Sequence, residues 1–267
     1  MDTRAERAHA VLVGAAYGDA LAMPTCGMTP EQITSVYGDF RELIDADASH
    51  TTMPGAPAGT VTEVTREILA EASALLGGSF SFPVAADGAH SPTDHTHARR
   101  CVLRAIPVGI ATSTQDPETF ADAVWEACAE GPTTRQEFQA AALIAAFISI
   151  GLDWPDSRPM DIEGVLWETV NYVASMEQRG SWSAEPDVLA TTRRAANLVS
   201  CQRSMYFSEF TKAFGHPSTP TQIVPFALAF TLHVLLGFSP YVARLGGDTT
   251  SCSALVAALM GSVLGAS

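Results

Sequence analysis

The sequence predicts an all-α protein, a single compact helical domain over residues 1–267. Three observations predict it. Apolar residues recur at helical spacing through most long runs. No stretch keeps the apolar–polar alternation of a half-buried strand. Helix start and stop signals divide the chain at short intervals.

The elements follow in order. Ala8, Val11, Leu12, Ala15 and Ala16 share one face of a helix over about 4–22, which Pro24 and Gly27 end. Thr29-Pro30-Glu31 supplies an N-cap, a first-turn proline and an early acid, so a short second helix follows. Residues 45–59 are small, polar and proline-bearing, which predicts a loop. Helices are expected at about 62–76, stopped by Gly77-Gly78, then at 99–111, 117–129 and 135–150. The last is almost continuously apolar and is the expected central helix. Helices at about 162–178, 185–199, 221–236 and 249–264 complete the chain. The segment 79–97 contains Pro83, Gly88 and Pro92, has no period, and predicts a long loop.

Composition narrows the function. The hydrophobic fraction is 47% and the charged fraction 16%, as in a globular chain. The formal net charge is −14, and Lys212 is the only lysine. Such a chain repels a phosphate backbone and an anionic lipid surface, so neither nucleic acid nor membrane is an expected partner. Five cysteines, an odd number without a C-x-x-C pair, argue against a zinc framework or a disulfide scaffold. They fit free thiols in a reducing compartment. The first ten residues lack the three-part form of a secretory leader, and the apolar stretches 8–23 and 254–266 are short for a membrane span. A soluble, cytoplasmic protein is expected.

Four segments carry a resemblance. Gly18-Asp19-Ala20-Leu21-Ala22-Met23-Pro24 lies near the start, and Leu103-Arg104-Ala105-Ile106-Pro107-Val108-Gly109 near the middle. Val224-Pro225-Phe226-Ala227-Leu228 precedes Gly246-Gly247-Asp248-Thr249. In this order they resemble the G-D-A-L-G-x-P, M-R-x-x-P-[IL]-G, V-P-x-A-L and G-G-D-T-D-T motifs of the ADP-ribosylglycohydrolase family. The resemblance implies that family's orthogonal helical bundle. It also implies hydrolysis of a glycosidic bond at the ribose C1 position, in a crevice where two magnesium ions are held by oxygen ligands.

Carried over residue by residue, the metal pattern is broken. Cys26 stands where the family has a glutamate, and soft sulfur is a poor magnesium ligand. Thr62-Glu63-Val64-Thr65 stands for T-D-D-T, so one acid is lengthened and one lost. Asp248 is kept, but Thr250 and Ser251 replace the final Asp-Thr. The expected metal-binding set is therefore Thr62, Glu63, Asp248, Thr250 and Ser251. With two carboxylates left, the expectation is one weakly bound magnesium ion or none. Glu63 and Asp248 are the expected catalytic residues, as metal ligands, as a general base, or as stabilisers of an oxocarbenium-like transition state. Asp19, Cys26, Arg99 and Arg100 are expected to touch the substrate, the two arginines by gripping phosphate or carboxylate.

Each of these residues also has a structural reading. Thr62 and Asp248 suit helix N-caps, Glu63 suits a first helical turn, Asp19 suits a buried cap, and Cys26 suits a small buried hydrophobe. The polar run 90–97, with three histidines and an aspartate, reads as a transition-metal site or as a solvated loop. Two functions stand ahead of a third, a purely structural partner within a complex. One is a divergent hydrolase acting on an ADP-ribosyl or related nucleoside substrate. The other is an inactive relative that binds a nucleotide or ADP-ribose in a regulatory role.

Overall fold

The computed structural model describes residues 3–78, 96–201, 212, 217–235 and 242–265. The α-helices among them are α1 (Thr3–Ala22), α2 (Pro30–Tyr37), α3 (Glu63–Leu75), α4 (Thr96–Ala111) and α5 (Pro117–Ala127). They continue with α6 (Arg135–Leu152), α7 (Ile162–Ser175), α8 (Val188–Cys201), α9 (Pro220–Leu235) and α10 (Thr249–Leu264). Single 3-10 turns, Met23–Thr25 and Val242–Arg244, precede Cys26 and the Gly246-Gly247 pair. The fold is all-α, as the sequence predicts.

The helix starts are chemical. Thr29 and Thr134 form capping boxes with Gln32 and Glu137, each pair satisfying two backbone N–H groups reciprocally. Asp116, Asp161, Thr62 and Asp248 cap α5, α7, α3 and α10 through their side-chain oxygens. Helix α6 is the centre of the core: every residue from Phe138 to Leu152 is buried. It packs on α4, α7 and α10. At Gly109 of α4 an added Cβ would stand 2.5 Å from the Ala145 carbonyl oxygen, so the two backbones touch.

Among the described helices, α1 packs most extensively against α10, first with last. Small residues line the seam. A Cβ at Gly14 would lie 2.6 Å from the Ala257 carbonyl oxygen, at Gly18 2.3 Å from that of Ser253, and at Gly261 2.5 Å from that of Ala10. Only glycine permits this approach. Through it the end of α1, bearing Asp19, lies beside the start of α10, bearing Asp248.

Some boundaries move. Helix α4 begins at Thr96 rather than near 99, so His97 belongs to a helix and not to the expected loop. Its ring reaches the Cys101 Sγ at 3.6 Å and the Thr133 Oγ1 at 3.3 Å. His90, Asp94 and His95, which the sequence reads as part of a transition-metal site or of a solvated loop, lie outside the described residues. Helix α7 stops at Ser175, three residues before the expected end. No described helix is long and apolar enough to cross a membrane.

Candidate functional site

Two helix starts and one loop build the site. Thr62 is the N-cap of α3, with its Oγ1 accepting from the Val64 N–H at 3.2 Å, and Glu63 is the first helical residue. Asp19 fixes this start from α1. Its carboxylate accepts the Thr62 N–H at 2.8 Å, the Thr62 hydroxyl at 2.7 Å, the Thr65 N–H at 3.2 Å and the Thr65 hydroxyl at 2.6 Å. Helix amides and an anion attract one another at an N-terminus, and here the anion is internal. Burial pushes the Asp19 carboxyl above its usual range, while the four hydrogen bonds pull it back down.

The start of α10 is fixed to the loop after α1. Gly27 N–H donates to the Gly247 carbonyl at 3.2 Å, and Gly247 N–H donates to the Met28 carbonyl at 3.3 Å. Thr25 Oγ1 donates to the Ala243 carbonyl at 2.6 Å. Gly246 and Gly247 both take positive φ, near 76° and 75°. A Cβ at Gly246 would meet Pro30 Cδ at 2.8 Å and the Met28 carbonyl oxygen at 2.9 Å. The glycine pair therefore sets Cys26 against Asp248 and Thr250.

Arg99, from the first turns of α4, lies between the two helix starts. Its Nη2 is 3.2 Å from Glu63 Oε1, and its Nη1 is 3.8 Å from Asp248 Oδ2. The side chains are 23%, 33% and 16% exposed for Arg99, Glu63 and Asp248, so the triad is open to a ligand yet shielded enough for charge to matter. Asp248 Oδ1 accepts the Ser251 N–H at 3.1 Å and the Thr250 hydroxyl at 3.2 Å. Cys26 Sγ lies 3.6 Å from Thr250 Oγ1. Burial first, then the negative charge of Asp248, pushes the Cys26 thiol up to about 11, against pulls from Thr250 and Arg99. It stays protonated at neutral pH and is a poor nucleophile.

The expected residues thus divide. Glu63, Asp248, Arg99, Cys26 and Thr250 come together. Asp19 was expected to touch substrate, but it is fully buried and its carboxylate is committed to Thr62 and Thr65. It positions the α3 start instead. Arg100 was expected beside Arg99, but it pairs with Glu67 at 3.1 Å and reaches Glu130 at 4.0 Å. Successive helical residues point about 100° apart, so the neighbour of a crevice residue faces another helix. There it joins Arg104, which pairs with Glu67 and Glu130. Ser251 contributes its backbone N–H to the Asp248 cap, and its buried hydroxyl has no hydrogen-bond partner among the described residues. Val64, where the resemblance implies an acid, is fully buried in the core.

Among the described residues, the carboxylates of Glu63 and Asp248 lie beside Arg99, and the Thr250 hydroxyl lies beside Asp248. Among the described residues no three His, Cys, Asp or Glu side chains converge as a metal site would require. Beside Cys26 a cleft of about 460 Å³ opens, lined by Gln32, Tyr37, Asp47, Ser49 and His50. His50 is a residue that the sequence reading missed. Its Nδ1 accepts the Met53 N–H at 3.0 Å, and burial lowers its pKa, so the ring is neutral. Nothing in the loop sequence 45–59 marks it. A larger apolar groove of about 590 Å³ runs between α1 and α10 and shares no residue with the cluster.

The sequence profile of the ADP-ribosylglycohydrolase family matches residues 1–99 and 85–267, which together span the chain. A solved structure described as an ADP-ribosylglycohydrolase-related protein complex superposes with a TM-score of 0.56. It is 16% identical in sequence, over 99% of this chain and 89% of the other. At that identity the likeness shows the fold. A search of curated proteins finds no match by sequence.

Proposed function

Because the chain belongs to the ADP-ribosylglycohydrolase family, we propose that it hydrolyses a glycosidic bond to ribose in the crevice between the starts of α3 and α10. The observation that carries this reading is the meeting of Glu63 and Asp248 across Arg99, since glycoside hydrolysis by protein groups alone needs two carboxylates in one site. The ligand is a small ribosyl or nucleotide molecule, for which the cleft beside Cys26 has room.

The donors present do not fit two magnesium ions. Magnesium asks for near-octahedral oxygen coordination at about 2.0–2.1 Å. The positions available offer two carboxylates already paired to a guanidinium, a protonated thiol and a core valine. No step here runs through a metal.

Glu63 is the more exposed carboxylate, and it is the general base in this reading. It takes a proton from water as the water oxygen bonds to ribose C1, while the bond to the leaving group breaks and that group takes up a proton from solvent. Asp248 is held by the Ser251 N–H and the Thr250 hydroxyl, and it stabilises positive charge developing on the ribose. The protonated Cys26 thiol is a neighbour of the substrate, not a nucleophile.

A second reading, a nucleotide or ADP-ribose binding protein without turnover, has one observation in its favour. Arg99 engages both carboxylates at once, so water and substrate must compete with the guanidinium for the same oxygens. The test is a panel of ADP-ribosyl and nucleoside substrates, followed by mass spectrometry for release of the ribosyl product. Release by the native chain that is lost in Glu63→Gln establishes the hydrolase. ADP-ribose binding without release establishes the second reading.

A further inference from the structure

We infer that Arg99 is the resident cation of this crevice and takes the charge-balancing place of a divalent metal, so that the site works without one. This rests on the crevice being the functional site.

Three observations carry it. The guanidinium is 3.2 Å from Glu63 and 3.8 Å from Asp248, so it faces both carboxylates at once. A guanidinium cannot be deprotonated in a protein, so this charge is permanent, and its several N–H groups let it face two carboxylates at once. Beside them stands Cys26, its Sγ 3.6 Å from Thr250 Oγ1, and soft sulfur is a poor ligand for magnesium. Two carboxylates and one guanidinium leave a net charge of −1 where the pair alone would carry −2. A divalent ion entering this site meets a fixed positive charge at contact distance, and to reach both carboxylates it must displace Arg99.

The neighbouring residues keep Arg99 there. It lies on α4 two residues before Cys101, which is buried in the core together with Val102 and Leu103. Arg100 and Arg104 are anchored on the Glu67 side of the same helix, which fixes the rotation that aims Arg99 at Asp248. The arginine is therefore placed by packing.

The experiment is calorimetric titration of the EDTA-treated, full-length protein with magnesium chloride alone, paired with melting curves with and without magnesium. The native chain is expected to give no binding heat and an unchanged melting temperature. Arg99→Ala leaves Glu63 and Asp248 facing each other, and magnesium is expected to bind it at least about tenfold more tightly than the native chain and to raise its melting temperature. The gain should vanish in Arg99→Ala/Asp248→Asn. Arg99→Lys, which keeps a cation, should remain unresponsive. Stoichiometric magnesium binding by the native chain overturns the inference, and this result needs no variant to fold. A folded Arg99→Ala that ignores magnesium also overturns it. Absence of any ribosyl hydrolysis would count against the functional reading above and leave these titrations interpretable.

Discussion

Asp19 and Thr62 are joined by two hydrogen bonds across 43 residues, hydroxyl to Oδ1 at 2.7 Å and backbone N–H to Oδ2 at 2.8 Å. With the matching pair from Thr65, this contact holds the first turn of α3 against α1 and fixes where Glu63 projects.

Removing that anchor should damage fold and site together. Asp19→Ala leaves four buried donors, the N–H and hydroxyl of Thr62 and of Thr65, without their acceptor. A loss of about 3 kcal/mol is expected in chemical denaturation. An Asp19→Ala variant as stable as the parent would show that water replaces the carboxylate.

Asp248 has two roles that two substitutions separate. Asn caps a helix about as well as Asp, so Asp248→Asn should cost well under about 1 kcal/mol while removing the charge and the activity. Asp248→Ala should lose activity and also about 1 kcal/mol of stability. Melting curves beside a turnover assay check both. Full activity in Asp248→Asn would exclude the carboxylate from the chemistry.

Adjacent arginines should differ. Arg99→Ala should change ligand binding, whereas Arg100→Ala should leave it unchanged and cost about 0.5 kcal/mol, because Arg100 is a half-exposed partner of Glu67. Titration of both variants with ADP-ribose decides. Equal effects would place Arg100 in the crevice after all.

Cys26 should be unreactive at neutral pH. With its thiol raised from the ordinary 9.0 to about 11, it carries about a hundredfold less thiolate than an exposed cysteine. Peptide-level mass spectrometry after iodoacetamide should find Cys26 modified far more slowly than the exposed Cys201 at pH 8. The rate should climb as pH approaches 11. The sign for stability follows: the raised thiol favours the folded chain fully below pH 9, and that contribution is lost as pH rises through about 11. Rapid alkylation at pH 7 would mean that the thiol is neither buried nor opposed by Asp248.

The seam between α1 and α10 should tolerate no side chain. Gly18→Ala drives a methyl to 2.3 Å from a backbone oxygen that cannot move without its helix. A cost of about 3 kcal/mol or more is expected, with Asp19 displaced as well. An unchanged melting temperature would show that the helices can part.

The sequence by itself determined the helices and the family. Caps and spacing are local chemistry, and Thr29, Thr62 and Asp248 announce helix starts whatever surrounds them. The family's motif positions also marked Glu63 and Asp248, although they lie at opposite ends of the chain. The resemblance already implied that they share one crevice; the neighbours that decide what they can do came only from tertiary structure. Arg99 and Arg100 are equivalent in sequence, and helix phase sends one to two carboxylates of the site and the other to Glu67. Asp19 reads equally as a ligand-binding acid or a cap until burial commits its oxygens to Thr62 and Thr65. His50 has no local signal, because what places it beside Cys26 is the path of a loop. Helix formation depends on bonds within a few residues, but charge balance in a crevice depends on which distant side chains arrive there, and packing decides that.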